Sequence, residues 1–189
     1  NPSQAIKWSR NCTRAEPMKN PWSCWLKPQL VRQTSHSGSA SVQREIHTAS
    51  MFQKILKATP NNDEAGYLLG QAMIRPDDAT NKDLIEAKSL YQTILALAPN
   101  SALLMAGIGH IELLEGKAQD ARNHFEAAIS LSQGKNIAVL NAIGYANGNP
   151  NAKTGDAGYA VDKLKQAAEI KKGNSADIQV NLGDAYRKL

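Results

Sequence analysis

Two cysteines, two phenylalanines and 5% aromatic residues are little for a chain of 189 residues. So few cysteines exclude a small secreted scaffold stapled by disulfides. There is no apolar run of the ~18 residues that a membrane-crossing helix needs. Outside one end of the chain there is no excess of either charge. The net charge is +5, yet seven basic side chains (Lys7, Arg10, Arg14, Lys19, Lys27, Arg32, Arg44) face only Glu16 and Glu45 in the first fifty residues. The remainder is close to neutral, so the main body has no basic face to attract nucleic acid. Alanine is abundant instead, and valine is scarce, which points to closely packed helices rather than sheets. The length suits one domain or a short array of repeats, with enough chain to bury a core.

The first segment stands apart from the rest. All three tryptophans (Trp8, Trp22, Trp25) and both cysteines (Cys12, Cys24) lie in it. Pro2, Pro17, Pro21 and Pro28 break any helix, and the run from Ser35 to Ser41 reads as a flexible linker. Residues 1–42 are therefore expected to be a disordered or leader-like segment. The stretch from Met18 to Leu26 is too short and too soon interrupted by Pro28 to serve as a secretion signal. The cysteines lack the close pairing of a zinc site.

From Gln43 onward, apolar stripes of helical period follow one another. Met51, Phe52, Ile55 and Leu56 end at Pro60. Tyr67, Leu68, Leu69, Ala72 and Met73 end at Pro76. Leu84, Ala87, Leu90, Tyr91, Ile94 and Leu97 end at Pro99. Ser101 is placed to cap the next helix, and Gly116 to end it. Another helix carries Ala121, Phe125 and Ala128 to Gly134, and three more fit residues 136–147, 157–171 and 175–188. No strand-like alternation persists. The pattern predicts an all-α chain with short loops and antiparallel neighbours.

Laid over one another, these helices keep a common register. The first helix of each pair carries an apolar residue followed by glycine: Leu69-Gly70, Ile108-Gly109, Ile143-Gly144 and Leu182-Gly183, at spacings of 39, 35 and 39 residues. The second carries alanine, a large residue four later and a smaller one after three more: Ala87/Tyr91/Ile94, Ala121/Phe125/Ala128 and Ala160/Leu164/Ala167. Glycine inside a helix costs about 1 kcal/mol against alanine, so four copies in one register imply close helix crossings that the large residue fills.

On these residues the chain resembles the tetratricopeptide repeat (TPR) family, over residues 43–189. The stretch ALLMAGIGHIELLEGKAQDARNHFEAAISL is closest to the family pattern. The resemblance implies a TPR-type alpha-solenoid of antiparallel helix pairs wound as a right-handed superhelix. Full units would span 63–100, 101–134 and 136–172, with half-units at 43–60 and 175–189. It further implies a fragment of a longer array, in a style similar to envelope-associated bacterial TPR proteins. Gly66, Gln179, Glu112 and Asn147 depart from the family pattern, and the loops at 75–81 and 147–158 are longer than its norm.

Enzymatic chemistry finds no support in the residues. Gly107-Ile108-Gly109 lies inside a helix and is not a phosphate cradle. His110 begins a stretch that lacks the second histidine of a zincin motif, and no nucleophile elbow is present. His110 and His124 read as solvent or groove histidines, so no metal or cofactor is expected and the chain is not read as an enzyme. What the resemblance implies is a scaffold that binds a peptide or partner protein in a concave groove lined by the first helices. The alternative is a structural spacer or regulatory part of a larger, envelope-associated protein with activity elsewhere. The compartment would be periplasmic or secreted if a signal peptide precedes the array, and cytoplasmic otherwise.

Within the binding reading, helical spacing turns the residue after each glycine, and those three and four before it, toward the groove. This selects Tyr67, Leu68, Gln71, His110, Asn141, Tyr145, Val180, Asn181 and Asp184. It also selects Ala106, Gly107 and Ala142, whose small size would leave room for a ligand's side chains. Asn141 and Gln71 could hold peptide amides in either direction. Asn141 and Asn181 alone do not make the basic clamp with which some TPR domains hold acidic chaperone tails, which argues against that partner.

Overall fold

The computed structural model describes residues 40–74, 80–172 and 175–189. The expectations for residues 1–39, and for the loop 75–79, fall outside them. Among the described residues the chain is all-helical: eight α-helices and no strand. None of these helices is long and apolar enough to cross a membrane.

The chain divides between Pro60 and Asn61. Before the division lies α1, Ala40–Ala58, which begins inside the stretch read as linker. After it come α2 (Asp63–Ile74), α3 (Asn81–Leu97), α4 (Ala102–Glu115), α5 (Ala118–Leu131), α6 (Ile137–Gly148), α7 (Ala157–Lys171) and α8 (Ala176–Lys188).

The helix starts are set by short polar side chains that satisfy the first free N–H groups. Thr80 and Asp83 form a reciprocal capping box on α3. Ser101 Oγ accepts from Leu104 N at 3.3 Å and donates to Asp63 Oδ2 at 2.7 Å, tying the start of α4 to that of α2. Asn136 caps α6 and Asp156 caps α7. Gly116, at φ +88°, ends α4 in the left-handed region that glycine enters without strain.

Successive helices pair: α2 with α3, α4 with α5, α6 with α7. The first members also lie on one another, α2 on α4, α4 on α6 and α6 on α8. Phe125 is buried in a cluster with Leu113, Val139, Ile143 and Ala146. Leu164 is buried in a second cluster with Leu140, Ala160, Ile178 and Ala185.

The in-phase glycines explain the pairing. A Cβ on Gly70 would run into the Tyr91 ring, one on Gly109 would stand 2.5 Å from Phe125 Cε1, and one on Gly144 would run into Leu164. The same close contact thus recurs in three helix pairs, and each large residue belongs to the second helix. Gly183, the fourth of the series, differs: a Cβ there meets nothing within 4 Å. The packing reason expected for all four therefore holds for three.

Opposite outcomes follow for one substitution. Gly70→Ala should lower stability by about 1–3 kcal/mol, because the rigid phenol must move. Gly183→Ala should raise it by about 0.5–1 kcal/mol, the ordinary helix preference of alanine. Urea unfolding of the two variants beside the parent checks both signs.

Candidate functional site

The residues selected from sequence lie along the helices α2, α4, α6 and α8, and much of the set is joined by side-chain hydrogen bonds. Tyr67 stacks on Tyr91, with ring centroids 6.3 Å apart. Tyr91 Oη donates to the Tyr67 carbonyl at 3.0 Å and accepts from Gln71 Nε2 at 3.2 Å. Burial first, and Tyr67 second, hold the Tyr91 phenol well above its ordinary pKa, so it stays a donor.

That direction fixes the rest of the chain. Gln71 gives its nitrogen to Tyr91, so its Oε1 faces His110 Nδ1 at 3.2 Å and must accept a proton from it. Burial lowers the His110 pKa from 6.5 to about 4, so the ring is neutral near pH 7. With the proton on Nδ1, Nε2 is bare and accepts from Asn149 Nδ2 at 3.1 Å. Asn149→His110→Gln71→Tyr91→Tyr67 is thus one directional relay across α2, α3, α4 and the α6–α7 loop.

His110 is 2% exposed. The sequence places it on the solvent or groove side; the structure buries it, with its ring nitrogens turned to Gln71 and Asn149. Tyr145 meets it edge-on, with centroids 5.3 Å apart. Gln71, expected to hold peptide amides, uses one N–H on Tyr91 and one lone pair on His110, which fixes the orientation of its amide. The room expected above the small residues is also taken. Ala106 and Ala142 are buried, and a Cβ on Gly107 would stand 2.7 Å from Tyr91 and 3.2 Å from Tyr67.

Farther along, Asn181 Nδ2 donates to Asn141 Oδ1 at 2.9 Å, joining α8 to α6. Asp184 pairs with Arg187 on the same helix. Tyr145, Asn181 and Asp184 line a cleft of about 240 Å³ with Gly148, Asn149, Pro150 and Asn151.

Its outer wall comes from the α6–α7 loop, which helical spacing could not place. Lys188 Nζ donates to the carbonyls of Asn147 at 3.1 Å, Asn149 at 2.8 Å and Ala152 at 3.5 Å. Burial lowers the pKa of that ammonium. Asn147, buried, donates to the Ile143 carbonyl at 3.0 Å and accepts from Asp156 N at 3.3 Å. Three helices therefore pin one loop: α4 through His110, α6 through Asn147 and α8 through Lys188. The sequence carried one sign of it, three asparagines within Asn147–Asn151 in a loop longer than expected.

A second polar cluster joins α3, α4 and α5 away from this row. Glu112, 4% exposed, accepts from Lys88 Nζ at 2.9 Å through one oxygen and lies 2.7 Å from His124 Nδ1 through the other. Glu115 pairs with Lys117 at 2.8 Å beside it. The buried Glu112 carboxylate is thus paired, as its burial requires. Among the described residues no group of three His, Cys, Asp or Glu side chains could hold a metal ion.

Compared with protein-family models and with curated proteins, the chain matches none.

Proposed function

We infer that residues 61–189 form a TPR-type array of antiparallel helix pairs, wound as a superhelix, that holds an extended segment of a partner protein on the face of α2, α4, α6 and α8. One observation carries this reading. Polar contacts along that face recur at the separation of one helix pair: Gln71 with His110 and His110 with Asn149, each 39 residues apart, and Asn141 with Asn181, 40 apart. The recurring glycine contacts under Tyr91, Phe125 and Leu164 supply the matching architecture.

The chemistry of the face suits a peptide. Asn141 accepts from Asn181 through Oδ1, which leaves its Nδ2–H₂ for a peptide carbonyl. Tyr145 offers a rigid aromatic surface of the kind enriched at binding hot spots. Leu68, 38% exposed, and Val180, 62% exposed, add apolar area at either end.

A peptide library screened by thermal unfolding of the full chain tests the reading. A bound peptide at a hundred times its Kd should stabilise by about 2.7 kcal/mol. A library covering many sequences that shifts nothing, together with failure to retain any partner from extract, would favour a spacer.

A further inference from the structure

One contact closes each of three helix pairs: a glycine of the first helix meets a large side chain of the second, Gly70 with Tyr91, Gly109 with Phe125 and Gly144 with Leu164. Around it, Leu69, Ile108 and Ile143 are buried on the first helices, and Ile94, Ala128 and Ala167 on the second. The helix α8 carries the first half of this contact without the second. It packs on α6 and α7 through Ile178 and Ala185. Helical spacing puts Leu182, Gly183 and Tyr186 together on the adjoining face. There Leu182 is half-buried, a Cβ on Gly183 would meet nothing within 4 Å, and Tyr186 is exposed, with the Lys165 ammonium 5.8 Å from its ring centroid. Glu112 and Asn147, at the place of Tyr186 in α4 and α6, are buried.

Helix α1 carries the second half without the first. Met51, Phe52 and Ile55 repeat the spacing of Leu90, Tyr91 and Ile94 in α3. The α3 residues are buried; in α1, Met51 and Ile55 are exposed and Phe52 is half-buried. Ala49 and Leu56, on the neighbouring face, are buried already. Contiguous exposed apolar residues mark interaction surfaces, and these two surfaces are complementary. One offers a glycine between Leu182 and Tyr186. The other offers a phenylalanine, and Gly109 and Phe125 already make that pair inside the protein.

We propose that the Gly183 face of α8 takes helix α1 of a second copy of this chain, with Phe52 seated over Gly183. Continuity fixes this occupant: the incoming α1 takes up the relation to α8 that α3, α5 and α7 have to α2, α4 and α6. The two surfaces differ, so the contact is heterologous. Copies join head to tail, into a ring where the rotation closes and an open chain where it does not. The contact is independent of the peptide-binding reading, because Leu182, Gly183 and Tyr186 are not among the residues of that face.

Sedimentation equilibrium of the full chain tests the proposal. The weight-average mass of the parent should rise with concentration from 20.5 kDa, the mass of one chain. Ile55→Glu puts a charge on the α1 face, and Gly183→Glu fills the gap on α8. Each should weaken association at least ~30-fold, the scale of a hot-spot loss, with circular dichroism unchanged. Met51→Glu is the second α1 variant, read in place of Ile55→Glu where that change disturbs the helix. Each variant keeps one working surface, so an equimolar mixture of an α1 variant with Gly183→Glu should form a one-to-one dimer and nothing larger. Gly183→Ala should also weaken association while still stabilising the separated monomer. A parent that keeps the mass of one chain at every concentration overturns the proposal. So does association that survives both α1 changes and is lost with Gly183→Glu, which would pair α8 with α8. A mixture that remains monomeric while the parent associates overturns it as well.

Discussion

Phe125→Ala should destabilise the protein by about 3–5 kcal/mol, the usual cost of emptying a buried aromatic site. Phe125 is 2% exposed, and its ring fills the space that Gly109 leaves open on α4. The ring cannot be replaced by collapse from one side, because Leu113, Val139 and Ile143 are already buried around it. Gly109→Ala alone should also destabilise, by about 1–3 kcal/mol, since its methyl would stand 2.5 Å from Phe125 Cε1. Together the two changes should cost less than their sum, because the new methyl enters the volume that the ring vacates. Equilibrium unfolding in urea of the four proteins measures that coupling. Strict additivity would mean that the two positions do not share a space.

The second large effect is a loss of stability in acid that traces to His110. Burial lowers its pKa from 6.5 in the unfolded chain to about 4 in the folded one. Between those values the unfolded imidazole binds a proton that the folded one refuses. Stability from this group is therefore full above pH 6.5, falls as the pH drops from there to about 4 and is lost below it, by about 3 kcal/mol in all. Carboxylates titrate in the lower part of that window, so the comparison is with His110→Gln. Over pH 6 to 5 the parent should lose about 1.2 kcal/mol more than the variant, most of one proton's worth. Parallel pH profiles would show that His110 is not held neutral. A second signature is expected at the loop: protonating Nε2 makes it a donor, so the Asn149 amide must turn or leave.

Local order was legible in the sequence because its causes are local. Ser101 caps the helix that follows it, as its place before the apolar stripe predicts, and Asn136 and Asp156 do the same for α6 and α7. Phe125 and Gly109 were legible for another reason: helical period fixes which face each occupies, and a recurring register says that the faces meet. What period cannot supply is the rotamer of a long side chain or the path of a loop. Lys88 and His124 reach Glu112 from other helices, across 24 and 12 residues, and nothing in the spacing announces it. Gly107 looked like open space for a ligand, and the Tyr91 ring occupies it from the neighbouring helix. Asn149 and Lys188 were missed altogether, since the loop that joins them to His110 is held by contacts 36 to 41 residues long.

On the proposed function, the face of α2, α4, α6 and α8, and not the outer face of the second helices, holds the partner. The most direct measurement takes a partner captured by the full chain and compares its affinity for the parent, Asn141→Ala, Tyr145→Ala and Arg122→Glu. Arg122 lies on α5, with its guanidinium 6.0 Å from the Tyr159 ring centroid, away from the polar row. Asn141→Ala and Tyr145→Ala should each weaken binding by about 1–2 kcal/mol or more with circular dichroism unchanged, and Arg122→Glu should do little. Binding lost with Arg122→Glu and kept with both Asn141→Ala and Tyr145→Ala would put the partner on the outer face instead.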